Sequence, residues 1–113
     1  MTLSETSLEG YFVCLLLLEA TSDDPGDAPL YEETFALVKA DSEATARRRV
    51  HSETGELQYE NAAGFTVTWR LKKIIDINAP LDTELTEFTE LYSRHFRNLR
   101  AYQDFEPLEG GKL

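Results

Sequence analysis

Five groups of side chains in this 113-residue chain are of types that could do chemistry, and the arginines are the most prominent. Arg70, Arg94 and Arg97, with Tyr92 beside them, have the types needed to hold an anion or an acidic partner through forked, charge-assisted hydrogen bonds. Arg47, Arg48, Arg49, Lys72, Lys73 and Arg100 are further cations that a fold could gather into the same patch. The competing reading is that they pair with nearby carboxylates, since residues 39–100 hold ten of each sign. Cys14 is the one thiol, and it stands inside the apolar run Tyr11–Leu18. A nucleophilic cysteine needs an electropositive, accessible setting. Residues 1–38 hold eight carboxylates and no Lys or Arg, so a buried, inert thiol is expected. His51 and His95 have no second ligand at a metal-binding spacing. Asp23, Asp24 and Asp27 lack the alternation, central glycine and closing glutamate of a calcium loop. Asp82, Glu84, Glu87 and Glu90 have no apolar frame that would raise a carboxyl pKa. Neither a phosphate-cradling glycine loop nor a nucleophile elbow occurs. No catalytic residue, metal or cofactor is therefore expected, and the chain reads as a non-enzyme.

Charge narrows the choice of partners. Eleven Lys and Arg against 21 Asp and Glu leave a net charge of −10. A nucleic-acid face needs cations to displace counterions, so no nucleic-acid partner is expected, and anionic lipid would repel the chain. The longest apolar run has eight residues, far short of the ~20 that span a bilayer. Met1–Gly10 has no basic segment of the kind that opens a secretory signal. A free thiol and no export signal make a cytoplasmic location the expectation.

The elements that would carry these residues follow from periodicity. Tyr11–Ala20 reads as a strand buried on both faces. The turn-forming stretch Thr21–Pro29 joins it to a second strand, Leu30–Lys39, as a hairpin with a long acidic connection. Asp41 or Ser42 can cap a helix running to Glu53 and stopped by Gly55. Leu57–Asn61 is a short strand, turned at Ala62-Ala63-Gly64 into a strand whose Phe65, Val67, Trp69 and Leu71 alternate with Thr66, Thr68, Arg70 and Lys72. That alternation places Trp69 in the core and Arg70 on the opposite face. Lys73 breaks the pattern before Ile75 and Ile77 resume it, which marks a bulge or the sheet edge near Lys72-Lys73. Glu90–Phe96 reads as a fifth strand that would bring Arg94 beside Arg70, and Asn98–Phe105 as a short terminal helix. The expected fold is α+β: an antiparallel sheet of four to five strands, one main helix packed on one face and a short C-terminal helix. Residues 1–10 and 107–113 are expected to be flexible, flanking a single domain over 11–106.

Tyr59-Glu60-Asn61, Gly64, Val67-Thr68-Trp69-Arg70, Ile75-Asp76-Ile77 and Glu90-Leu91-Tyr92-Ser93-Arg94 together resemble a bacterial family known as domain of unknown function 4288. Tyr31-Glu32-Glu33 and Val38-Lys39-Ala40 are similar to its first half. The resemblance spans about residues 11–98 and implies a bacterial source and a compact α+β domain. It implies no activity and no site residue. Function must then be read from the residues themselves, and they favour a protein-binding module. A strongly acidic chain can neutralise a basic partner, as inhibitors and immunity proteins of nucleases do. Two other readings stand beside it. One is a small-anion binder or small enzyme on an Arg-lined sheet face around Arg70, Tyr92, Arg94 and Arg97. The other is a structural homodimer that covers a bare sheet face.

Overall fold

A computed structural model describes residues 6–106 and 108–111. Four strands and two helices succeed each other as β1 (Tyr11–Ser22), β2 (Leu30–Lys39), α1 (Glu43–Glu53), β3 (Leu57–Glu60), β4 (Thr66–Asn78) and α2 (Leu99–Phe105). The strands form one antiparallel sheet in the order β2-β1-β4-β3, so the apolar strand β1 lies inside and β2 and β3 are edges. β1 has the composition of a strand covered on both sides, and Val13, Cys14, Leu15 and Leu16 are all buried.

Local chemistry sets the boundaries. The Ser42 hydroxyl caps α1 by accepting the Thr45 amide at 3.1 Å. The helix closes where the Thr54 amide and hydroxyl both donate to the Val50 carbonyl. Between β3 and β4 the Asn61 side chain accepts the Ala63 and Phe65 amides, and Gly64 supplies the positive φ of 88° that the turn requires. The acidic connection after β1 is tied down rather than loose. Asp23 exchanges hydrogen bonds with the Thr66 backbone, and the Asp24 carboxylate accepts the Gly26 amide.

Two register shifts in the β1–β4 ladder decide which side of the sheet each residue of β4 takes. One leaves Lys72 unmatched between Leu71, opposite Leu18, and Lys73, opposite Leu17; the other does the same to Ile75 between Ile74 and Asp76. The bulge expected near Lys72-Lys73 is therefore present, and a second follows it. Each bulge resets the alternation. Lys73 leaves the apolar face and Ile74 enters it, while the second bulge cancels the first, so Ile77 stays on the apolar face and Asp76 on the opposite one beside Leu15.

The first face carries Cys14, Leu16, Val38 and Ile77, which form one buried cluster with Ala46 and Val50 of α1. Phe12, Ala36, Leu71 and Ile74 pack around it. Trp69 shares this face but is partly exposed; the fully buried positions of β4 are Thr68 and Ile77. The expectation of a core tryptophan is corrected because α1 covers the Ile77 end of β4, while Trp69 pairs with Leu57 of the short, exposed edge β3.

The expected fifth strand does not form, so the sheet has four strands. Residues 90 and 91 fold back on the stretch after β4, with Asp82 donating to the Glu90 carbonyl and Leu81 to the Leu91 carbonyl. Ser93, Arg94 and His95 interrupt the apolar positions, so Glu90–Phe96 lacks the alternation that would hold it in the sheet plane. The chain instead crosses the face opposite α1. Residues 1–5, 107, 112 and 113 of the termini expected to be flexible lie outside the described residues. Of the remainder, Leu8 is buried and donates to the Thr83 carbonyl, Leu85 donates to the Thr6 carbonyl, and Glu109–Gly111 makes a single 3-10 turn. Among the described residues, no helix is long and apolar enough to cross a membrane.

Candidate functional site

The face away from α1 holds the largest concavity. Its floor comes from one side of the β1–β2 hairpin, where Leu15 lies opposite Phe35 and Leu17 opposite Glu33. Its roof is the segment expected to be a fifth strand, continued into α2. The two are pinned by Tyr92, whose hydroxyl donates to Asp76 Oδ2 at 2.7 Å and whose ring meets Phe35 edge-on with centroids 6.0 Å apart. Asp76 stands on this face, the face of Arg70, because the bulge at Ile75 cancels the one at Lys72. Beyond Tyr92 the roof continues through Arg94, His95 and Phe96 to α2, where the Phe96 and Tyr102 rings stack at 4.7 Å. Between floor and roof runs an open groove of about 580 Å³ lined by Leu15, Glu33, Phe35, Tyr92, Arg94 and Tyr102, among others.

Electrostatics within the groove are local. The hydrogen bond from Tyr92 is the main cause that holds the Asp76 carboxyl below the usual carboxylate range, and the Ile77 amide and Arg94 act in the same direction. Desolvation, then the bond and charge of Asp76, push the Tyr92 phenol upward. Arg94 thus already faces a carboxylate.

Of the residues expected to bind together, the fold unites only Tyr92 and Arg94. Arg70 does lie on the face opposite Trp69, but it reaches Glu56 at 3.9 Å and takes no part in the groove. It precedes Asp76 by six positions along β4, up to roughly 20 Å at the usual strand rise. Arg97 is exposed and outside the groove lining. The idea of a site shared by Arg70 and Arg94 therefore fails, because the strand that was to align them does not form. Other cations take local partners: Arg47 pairs with Glu43 at 3.2 Å, Arg48 donates to the Thr45 hydroxyl, and Lys72 meets Glu19 at 3.4 Å.

Cys14 is fully buried, and burial pushes its thiol pKa up, so it offers no thiolate. Among the described residues, no three His, Cys, Asp or Glu side chains come together in a way that could hold a metal ion. Sequence reasoning missed Glu33 and Phe35 as groove residues and Asp76 as the partner of Tyr92 beside them. One signal was available: Asp76 is an acid set between two isoleucines of a strand.

The apolar surface around the groove is its most distinctive property. Tyr31, Phe35 and Leu37 on β2 and Phe96, Leu99, Tyr102 and Phe105 on the roof are all exposed, Phe35 at 62% and Phe105 at 67%. The radius of gyration is 17.8 Å, against about 13 Å for a compact domain of this length. The chain is therefore more extended than a closed globule of its length.

The family model described as Domain of unknown function (DUF4288) matches residues 11–93. No curated protein and no solved structure matches the chain.

Proposed function

We propose, for a chain that belongs to the DUF4288 family, that it is a non-enzymatic protein-binding module whose contact surface is the groove face. One observation carries this reading: seven large apolar side chains from β2 and from Phe96–Phe105 stand exposed on or beside one groove. Contiguous apolar surface of that kind, rimmed by charge, marks an interaction site more often than a monomer's bare surface. Aromatic anchors at the centre and charged residues at the rim are the usual anatomy of such a site. The net charge of −10 favours a partner with a basic face and speeds encounter with it.

The test is affinity capture from the native cell with the wild-type chain and with the double variant F96D/F105D. Both side chains are exposed, so the variant should keep its fold and lie close to wild-type stability. Loss of the captured protein supports the reading. Capture that is unchanged by the double variant overturns it.

A further inference from the structure

We propose that the first partner of this surface is a second copy of the chain, joined edge to edge through β2 about a twofold axis at Ala36. The inference rests on the reading of the chain as a protein-binding module, and it names the partner. β2 is an edge strand of ten residues with no proline inside it and no register shift against β1. Natural proteins shorten, kink or cover such edges, because the unpaired amides and carbonyls template another strand. The opposite edge, β3, has only four residues. β2 is thus the long, regular edge left open.

A symmetric antiparallel pair must keep each face continuous, so paired residue numbers add to an even sum. Four such registers centre on residues 34 to 37 of β2; centring on Thr34 sets Glu33 against Phe35 twice and pairs no charge with its opposite. Centring on Phe35 sets Glu33 against Leu37 of the second copy and Glu32 against Val38, a buried residue. Centring on Leu37 sets Glu33 against Asp41, two like charges. Centring on Ala36 sets Glu33 against Lys39 twice, Phe35 against Leu37 twice, and Thr34 against Val38 twice. Only the last register sets Glu33 against an opposite charge and Phe35 against an apolar residue other than itself, which is the cross-strand preference of antiparallel sheets.

The amount of open surface agrees. The chain exposes 8855 Å², against about 6,300 Å² for a compact monomer of 12.9 kDa, an excess of about 2,500 Å². Obligate homodimers bury about 1,000–2,500 Å² per subunit. Joining two β2 edges makes one eight-stranded sheet, with both α1 helices on one side and both grooves on the other. The exposed Phe35 and Leu37 of the two copies then meet along the seam.

The experiment uses the full chain, with mass measured by light scattering after size exclusion and folding followed by circular dichroism. The wild type is expected to run as a dimer. Glu33→Lys and Lys39→Glu should each yield folded monomer, and the double variant E33K/K39E should return to the dimer. Glu33→Lys also reduces the net charge to −8, which on overall repulsion alone would favour association; its monomerisation would therefore report the register. Ala36→Cys should form an intermolecular disulfide under oxidant, because facing Cα atoms in this register lie about 4.5–5.5 Å apart. Thr34→Cys should not, since it faces Val38, and the buried Cys14 supplies no background. A wild-type monomer, a dimer that both single variants leave intact, or a crosslink at 34 rather than 36 overturns the proposal. If F96D/F105D still abolishes capture, only the second copy is withdrawn; if capture is also indifferent to it, the wider reading falls with it.

Discussion

Removing the Leu16 side chain is the sharpest probe of how α1 is held. Leu16 is 3% exposed and belongs to the cluster of Cys14, Val38, Ala46, Val50 and Ile77. Its neighbours are small or β-branched and sit on four different elements, so they have little freedom to close over the space left by Leu16→Ala. Transfer and cavity terms together then put the loss at about 3–5 kcal/mol. A 113-residue domain holds roughly 6–17 kcal/mol of stability in all. With an m value near ~1.5 kcal/mol/M, the urea midpoint should fall by roughly 2–3 M. Trp69 is the sole tryptophan and its indole donates to the Tyr59 hydroxyl at 3.4 Å, so its fluorescence reports the sheet at a distance from the mutation. Ile75→Ala is the control: this bulge residue is 41% exposed and should lose about 1 kcal/mol or less. Both curves must be taken at one protein concentration, because association adds to apparent stability. A Leu16→Ala loss no larger than that of Ile75→Ala would refute the placement of α1 over this face.

Two further outcomes follow from hydrogen bonds outside that cluster. Tyr92→Phe removes the bond that lowers the Asp76 pKa; because a depressed carboxyl pKa adds stability that is present above the unfolded value and lost as pH falls through the folded one, the acid unfolding midpoint should move to higher pH, with the Asp76 titration followed by carbon NMR moving up alongside it. Ser42→Ala removes the α1 cap and should cost about 1 kcal/mol in urea titration, with no effect on dimer mass because Ser42 lies outside the proposed β2 seam.

The strands, their order along the chain and the main helix were legible because each carries its own period or cap. Tyr11–Ser22 exceeds its expected end by two residues, and Thr66 rather than Phe65 opens β4, the ordinary uncertainty of element ends. The failure at Glu90–Phe96 is more instructive. Tyr, Phe and Leu suggest extension, yet a strand persists only where a ladder receives it, and Ser93-Arg94-His95 gives no apolar side to bury. Trp69 shows a different gap. Alternation identifies a residue's face, but how deeply that face is covered depends on where α1 ends, and no local pattern carries that information.

The site was less legible for a related reason. Arg70 and Arg94 stand out in the sequence because they are charged, yet charge alone does not say what lies opposite. Asp76 lies on the face that plain alternation from Arg70 gives it, because the two bulges cancel, but alternation says nothing of the tyrosine that crosses above it. The acidic balance shows the same dependence on placement. Residues 1–38 hold eight carboxylates and no Lys or Arg, so Lys39, the last residue of β2, is the first cation of the chain. Repulsion between two chains of charge −10 opposes most encounters, but over distances beyond a Debye length of about 8 Å it is screened at physiological salt. What remains at contact is the local pattern. On β2 that pattern is Glu33 and Lys39 placed symmetrically about Ala36, so general repulsion discourages random association while one register escapes it. A strongly acidic surface and a specific self-contact are therefore compatible, provided the lone cation of this region stands where the twofold axis carries it onto a glutamate.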